Sequence, residues 1–266
     1  MMRKYIIRDG YIFHTYERGD QVNFMRIPGL VSIMIPCYNS SSFIEETLNS
    51  ITAQTYPDIE IIIINDGSTD TSLEQIHYWM ESKEVQARFV SKQRFQLLNL
   101  PYNIGYAGAN TIGLFLARGE FIAIHDSDDL SHPERILKQV EFLRSHDDFG
   151  LVGTHFAEFW THNPKVKYVP TWIEFGHEKI KEKYEMGKSS ACYGTLLFRG
   201  LVFDETGGLI RNLPWKTAIV GHDKLFITRC LQQGFRIDNI PEVLYYYRLH
   251  GAQMSGRGSK KKKGIV

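Results

Sequence analysis

Short, nearly unbroken apolar runs alternate along the chain with segments whose apolar positions recur every three or four residues, a rhythm that predicts strands alternating with helices. Residues 30–35 (LVSIMI) predict a buried strand, and residues 42–45 (SFIE) have capping-box form ahead of Ile44, Leu48 and Ile51 at helical spacing. Residues 59–64 (IEIIII) are almost continuously β-branched, which suits a strand covered on both faces. Residues 71–74 (TSLE) repeat the capping-box form before a helix reaching Met80. Residues 94–100 predict a third strand, 105–118 a helix rich in small residues, and 120–124 a fourth strand that stops at an acidic cluster. Pro133 then stands where a first-turn proline belongs, ahead of Ile136, Val140 and Leu143 on one helical face, and residues 150–154 begin another strand. Residues 31–159 therefore predict an α/β unit: a Rossmann-like, mostly parallel sheet flanked by helices on both sides.

The second half is less regular. Aromatic and basic residues are dispersed over 160–188, residues 191–198 are strand-like, and residues 223–233 predict a helix that Gly234 ends. Strands follow at 235–239 and 243–248. These patterns divide the chain into an N-terminal arm (1–30), the regular half (31–159), an irregular half (160–254) and a basic tail (255–266) whose composition predicts disorder.

Composition narrows the function classes. Hydrophobic residues at 43% and charged residues at 23% fit a globular protein. Lys+Arg of 31 against Asp+Glu of 30 leaves a net charge of +1, so no overall field recruits nucleic acid. Cys37, Cys192 and Cys230 are too few and too scattered for a disulfide framework or a CxxC metal site, which points to a reducing, cytoplasmic compartment. The first ten residues lack the apolar core of a secretory leader, and no apolar run is long enough to span a bilayer.

In an open α/β sheet, ligands collect at the carboxyl ends of the strands. Here those ends are polar: Pro36-Cys37-Tyr38-Asn39, then Asn65-Asp66-Gly67-Ser68-Thr69-Asp70, then Asn103-Ile104-Gly105, then Asp126-Ser127-Asp128-Asp129. Three carboxylates within four residues repel one another unless a hard divalent cation sits among them, although the same acids would also serve as caps for the next helix. An EF-hand pattern is absent. Residues 103–108 lack the first glycine of a GxGxxG fingerprint, which disfavours a dinucleotide-binding dehydrogenase; Gly105 and Gly108 would instead let their helix pack tightly on the sheet.

The run PCYNSSSFIEETLNSITAQTYPDIEIIIINDGSTD, followed by NIGYAGAN and FIAIHDSDDL, resembles the nucleotide-sugar-binding half of family 2 glycosyltransferases, which have the GT-A fold. The likeness covers residues 31–154 and implies an inverting enzyme that moves a sugar from a nucleotide donor, a UDP-sugar, to a hydroxyl of a glycan or lipid-linked acceptor. By this resemblance Tyr38 would stack near the base, Asp66 would accept the ring N–H of uracil, and Pro36, Asn39, Asn103 and Gly105 would shape the donor pocket. Asp126 and Ser127 would lie against the ribose or metal, and Asp128 would ligate the metal. The ending Tyr247-Arg248-Leu249-His250 resembles the family's YRxH, which implies His250 as a second ligand and Arg248 as a diphosphate contact. An oxygen-rich site implies Mg²⁺ or Mn²⁺, with Mn²⁺ favoured by an imidazole. The general base would be Asp223, although His222 stands where the family commonly has another acid.

The irregular half would then hold acceptor and base, with Trp160, Trp172 and Trp215 offering faces for sugar rings. Lys260 to Lys263 would attract an anionic leaflet, giving peripheral membrane contact. Two other readings stay open: a nucleotide-sugar-binding protein without turnover, and a nucleotidyltransferase, which would call for a Gly- and Lys/Arg-rich phosphate loop where this chain has Ser40-Ser41-Ser42.

Overall fold

The apolar runs of the first half become neighbouring parallel strands in a computed structural model, which describes residues 4–8, 11–15, 26–88, 94–210 and 221–253. Strands β1 (Lys4–Arg8) and β2 (Tyr11–Thr15) pair as an antiparallel hairpin within the segment read from sequence only as an arm. The sheet then builds through β3 (Ile27–Cys37), helix α1 (Ile44–Thr52), β4 (Ile59–Asn65), α2 (Ser72–Met80), α3 (Lys83–Arg88), β5 (Phe95–Asn99), α4 (Tyr106–Leu116) and β6 (Gly119–Ile124). It continues with β7 (Leu130–Ser131), α5 (Arg135–Ser145), β8 (Phe149–Trp160), β9 (Asn163–Tyr168), α6 (His177–Glu185), β10 (Leu197–Arg199), α7 (Gly200–Thr206), α8 (His222–Gln232) and β11 (Arg236–Leu249). The strand order is β5-β4-β3-β6-β10-β8-β11-β7, with β9 paired to β8.

The pleat of β4 explains its composition. Ile61 and Ile63 face one apolar layer with Leu48 of α1, Ile76 of α2 and Val140 of α5, while Ile62 and Ile64 face the other with Leu114 of α4 and Phe226 of α8. Every residue of β4 is buried, so both faces must be apolar. The one charge, Glu60, is satisfied by Ser32 and Arg118.

Several local expectations differ from the structure. Neither capping box is used: α1 and α2 have no side-chain cap bond from Phe43 or Thr71, and Asp70 instead accepts the Ser41 and Ser72 N–H groups at 3.0 Å each. Gly108 packs on the side chain of Ile104 in the loop just before its helix, whereas Gly113 meets Met34 of β3 and is the residue that brings α4 onto the sheet. Residues 191–198 form a 3₁₀ turn (Tyr193–Thr195) before the short β10. The two final strands are one, β11, whose register slips around Pro241; a bulge is where a strand tolerates proline.

β10 runs antiparallel between β6 and β8, and β11 runs parallel to β8. The ends of β6, β8 and β11 therefore emerge on one side, bringing Asp126 to Asp129 from the first half beside Arg248 and His250 from the last strand. Among the described residues no helix is long and apolar enough to cross a membrane.

Candidate functional site

The loops after β3, β4, β5 and β6 are tied into one floor by their own polar side chains. Asn39, at φ 52°, accepts the Thr69 N–H on Oδ1 (2.8 Å), and its own N–H donates to Ser68 Oγ (3.0 Å). Ser40 and Ser127 join hydroxyl to hydroxyl at 2.6 Å, linking the first strand end to the acidic one. Asn39 therefore acts as a brace between two loops, while the neighbouring Tyr38 ring is 48% exposed and open to stack on a planar ligand. Pro36 is buried inside β3, in register with Ile64.

Asp66 is buried at the N-terminus of α4. Its Oδ1 accepts the Ile104 N–H at 2.7 Å and its Oδ2 accepts the Gly105 N–H at 3.0 Å. The helix dipole favours a carboxylate there, and each oxygen keeps a further lone pair. Gly67 is required by space as well as by its φ of 63°, because a Cβ would lie 2.5 Å from the Tyr102 carbonyl carbon. Gly105, at φ 88°, turns the chain into α4, and Asn103 before it is exposed.

The acidic cluster spreads in three directions. Asp126 Oδ1 accepts the Tyr106 hydroxyl at 2.8 Å, and its backbone N–H donates to the Tyr245 hydroxyl at 3.2 Å. Burial, with the charge of Asp128 beside it, pushes the Asp126 carboxyl up to about 7. Asp129 is buried and accepts the Arg248 N–H at 2.7 Å; burial and the charges of Asp128 and Asp126 raise its pKa well above the carboxylate range. Asp128 is half-buried and turns outward, its Oδ2 2.9 Å from His250 Nε2. From α1, Thr47 holds this loop by donating to the carbonyls of Ser127 (3.1 Å) and Asp129 (2.8 Å).

Arg248 lies against this loop from behind. Its Nε donates to the Asp128 carbonyl at 2.7 Å and its Nη2 to Glu46 at 2.6 Å, with the guanidinium 5.1 Å from the Phe43 ring centre and 4.9 Å from that of Phe159. The side chain is 5% exposed. A guanidinium held in this way supports the Asp128 loop from behind.

His250 is held by Phe43, whose ring centre is 4.3 Å away, and its Nδ1 accepts the Ala252 N–H at 3.3 Å. Nε2 therefore carries the proton that bonds Asp128, and a cation taking that proton's place would have one oxygen and one nitrogen already facing it. Their 2.9 Å separation is close to the edge of an octahedron with bonds of about 2.1 Å. Among the described residues no three His, Cys, Asp or Glu side chains form a metal cage. The residues fit a divalent ion that takes its remaining ligands from phosphate oxygens and water, the mode typical of nucleotide enzymes.

Asp223 lies in the first turn of α8, exposed; burial raises the pKa values of Asp126, Tyr106, Tyr193 and Cys192, and the Asp223 charge adds a little to each. The neighbouring His222 bonds the Ile210 carbonyl through Nδ1 at 2.8 Å, so it joins the two chain ends flanking residues 211–220. Trp215 and Lys260 to Lys263 lie outside the described residues.

Sequence reasoning missed the support beneath the acids. Arg135 is wholly buried, donating to Gln139 Oε1 (3.1 Å), Ser131 Oγ (3.0 Å) and the Ile124 carbonyl (2.7 Å), and it stands 5.0 Å from the Tyr245 ring centre. It is a buried cation facing a buried acidic loop, and burial pulls its own pKa down to about 10. Gly194 is equally hidden in the sequence: a Cβ there would meet Asp126 Oδ2 and the Tyr245 hydroxyl at 2.9 Å each. Nothing in the spacing of these residues signals proximity, since 119 residues separate Tyr245 from Asp126.

The model of glycosyl transferase family 2 matches residues 32–205 of the chain. An uncharacterized glycosyltransferase of Haemophilus influenzae is 31% identical over 234 residues, 85% of this chain and 67% of that protein. The Escherichia coli UDP-Glc:alpha-D-GlcNAc-diphosphoundecaprenol beta-1,3-glucosyltransferase WfaP is 28% identical over 232 residues, 87% of this chain and 82% of that protein. Among solved structures, Staphylococcus aureus TarS 1–349 in complex with UDP-GlcNAc superposes with a TM-score of 0.66 at 20% identity, covering 84% of this chain and 59% of that one. The mannosyltransferase PcManGT from Pyrobaculum calidifontis, in complex with GDP-Man and Mn²⁺, gives 0.60 at 20% identity over 84% of this chain and 57% of that one. The shared architecture is the GT-A fold. The chain spans less than three fifths of both solved proteins.

Proposed function

The chain belongs to glycosyl transferase family 2, and from that premise we propose that it is a metal-dependent, inverting transferase that moves a sugar from a UDP-sugar to a hydroxyl of a glycan or lipid-linked acceptor. The observation that carries the proposal is the pairing of Asp128 and His250, 122 residues apart in sequence, at the shared end of β6 and β11. It supplies a two-ligand seat for Mn²⁺ or Mg²⁺, and the named complex of PcManGT with GDP-Man and Mn²⁺ supports that reading. The bound ion would stabilise the charge that grows on the diphosphate as it leaves.

The chain's own groups divide the remaining work. Tyr38 offers an aromatic face for the base, and Asp66, anchored by two backbone N–H groups, turns a spare lone pair towards the N–H of a uracil edge. Asn103 and Gly105 border that pocket. Asp126, held by Tyr106, and Ser127, held by Ser40, present oxygens to the ribose side. Arg248 keeps Asp128 in place. Asp223 takes the proton of the acceptor hydroxyl as its oxygen bonds the anomeric carbon and the bond to the diphosphate breaks, so the configuration inverts. The names UDP-Glc and UDP-GlcNAc among the relatives support a uridine donor, and the diphosphoundecaprenol acceptor of WfaP supports a lipid-linked acceptor.

The nucleotidyltransferase alternative has no basic phosphate loop to stand on, because residues 36–43 contain no Lys or Arg. A binding protein without turnover would leave Asp223 without a task. The test is release of UDP or GDP from UDP-Glc, UDP-GlcNAc and GDP-Man by wild type and Asp223→Asn. Wild type should turn over a UDP-sugar in Mn²⁺, and Asp223→Asn should lose at least about a hundredfold of the rate while still binding UDP. Equal rates in the two proteins would remove Asp223 as the base.

A further inference from the structure

Beyond β8 the sheet extends into an exposed edge arm, in which Trp172 meets the Phe156 ring at 5.7 Å and Trp160 the His162 ring at 5.5 Å. All six residues of β9 are exposed, and the arm carries Trp160 (39% exposed), Val166 (63%) and Tyr168 (44%), followed by Val169 and Trp172 at 43% and 42%. Scattered exposed apolar residues are ordinary, but five within thirteen positions are a patch. The charge of this stretch has one sign: residues 159–173 contain Lys165 and Lys167 and no Asp or Glu. Lys167, itself exposed, holds its ammonium over the Tyr246 ring at 4.0 Å. Trp and Tyr beside Lys match the boundary between lipid headgroups and acyl chains, where amphipathic rings sit at headgroup depth and ammonium groups meet phosphates.

The arm also starts at the rim of the site. Trp160 is in register with Leu249, one residue before His250, and the Thr161 N–H donates to the Leu249 carbonyl at 3.2 Å. A surface resting on this arm is therefore next to the metal-binding edge of the sheet.

We propose that the β8–β9 arm and the segment to Trp172 form a docking surface for an anionic lipid bilayer, with Trp160, Tyr168 and Trp172 seated in the interface and Lys165 and Lys167 facing acidic headgroups. The docking stands on the surface chemistry alone; its use, holding the site against a membrane that carries a lipid-linked acceptor, rests on the function proposed above. Two lysines near an anionic surface, each worth about fivefold in partitioning, together account for about thirtyfold.

The test is co-sedimentation of the full chain with vesicles of phosphatidylcholine and phosphatidylglycerol at three to one, and with phosphatidylcholine alone. It compares wild type, Lys165→Gln/Lys167→Gln, Trp160→Ser/Trp172→Ser, and a chain with Lys260 to Lys263 changed to Gln. Wild type should bind the anionic vesicles more tightly at low salt than at high salt. The arm-lysine variant should bind about thirtyfold more weakly and the Trp variant at least about tenfold more weakly, with the tail variant keeping the arm-dependent part. Calorimetric UDP binding on the same proteins should match wild type and thermal unfolding should stay a single cooperative transition, with a lower midpoint in the Trp variant that loses the Trp172 contact with Phe156, and so show that the fold and the site are intact. The proposal is overturned if wild type ignores anionic vesicles, if the arm variants bind as wild type does, or if sedimentation equilibrium shows a dimer that the arm variants abolish, which would assign the patch to a second copy. Loss of UDP binding in wild type with vesicle binding retained would count against the proposed function and leave the docking surface standing.

Discussion

Replacing Arg248 separates two roles that a guanidinium beside a diphosphate site can play. In Arg248→Met the chain loses a hydrogen bond to the Asp128 carbonyl, an ion pair with Glu46, and the placement of a cation near the Phe43 and Phe159 rings. The carbonyl bond is worth about 1–1.5 kcal/mol, because its acceptor would be left unpaired. The two ring contacts add about 0.5–1 kcal/mol each. Glu46 has a side chain 61% exposed, so its pair adds under about 1 kcal/mol. The sum is about 2–4 kcal/mol of stability. Arg248→Lys keeps the charge but has no planar fork to serve the carbonyl and Glu46 together, so about half of that loss remains.

The functional consequence should appear in metal affinity. With its carbonyl released, the Asp128 loop no longer presents its carboxylate to His250, and the Mn²⁺ concentration for half-maximal UDP binding should rise about tenfold in Arg248→Lys, as is usual when a group supporting a ligand is removed. Titration calorimetry at several Mn²⁺ concentrations, with denaturant unfolding in parallel, measures both quantities. UMP binding in EDTA should be unchanged. If the Mn²⁺ midpoint stays fixed while the affinity for UDP relative to UMP collapses, Arg248 contacts the diphosphate directly and the positioning role is wrong.

Three further outcomes follow from the support beneath the acids. Gly194→Ala places a methyl 2.9 Å from Asp126 Oδ2 and from the Tyr245 hydroxyl, so transfer activity should fall at least about tenfold while the melting temperature drops by only a few degrees; unchanged activity would show that Asp126 has room to move. Arg135→Met leaves Gln139, Ser131 and the Ile124 carbonyl without their donor and removes the cation behind buried acids, and urea unfolding should show a loss of about 3–5 kcal/mol. His125 is buried and neutral, its pKa brought from 6.5 to about 3 by burial and by the Arg135 charge, so the unfolded chain alone takes up its proton between those values. The His125 contribution to stability should therefore be full above about pH 6.5 and decline as the pH falls towards 3, opposite in sign to that of the raised Asp126 and Asp129 carboxyls, so it is read as the difference between wild type and His125→Gln, which should shrink in denaturant unfolding from pH 7.5 through 5 to 4.

The sheet was largely legible in the chain because its strands are buried on both faces. Residues 59–64 could be little else, and β4 spans Ile59–Asn65. The strand ends were legible for a related reason: polar residues that abruptly close apolar runs have to gather at one edge of a parallel sheet. Helix entry was misread, since the Ser/Thr-x-x-Glu spacing at residues 42–45 and 71–74 is a local pattern, whereas the capping group, Asp70, reaches across from another loop to Ser41. The irregular half was harder still. The exposed β9 alternates only over Lys165-Val166-Lys167-Tyr168, just after Pro164, too short a period-two signal to stand out in an irregular segment, and β10 is three residues long and held between β6 and β8. Tertiary pairing, not local preference, makes such strands. The meeting of Asp128 with His250 came through family likeness, but the use of Arg248 as a brace depends on Phe43, Glu46 and Phe159, which no spacing brings together.

Calorimetry of UDP binding to wild type, Asp128→Asn and His250→Ala, each in Mn²⁺ and in EDTA, decides whether the paired ends of β6 and β11 hold a metal for a nucleotide. Wild type should bind UDP at least about tenfold more tightly in Mn²⁺ than in EDTA, and each variant should lose that difference while keeping its metal-free affinity. Equal affinity of wild type with and without the ion, or a metal effect that survives in both variants, would contradict the assignment.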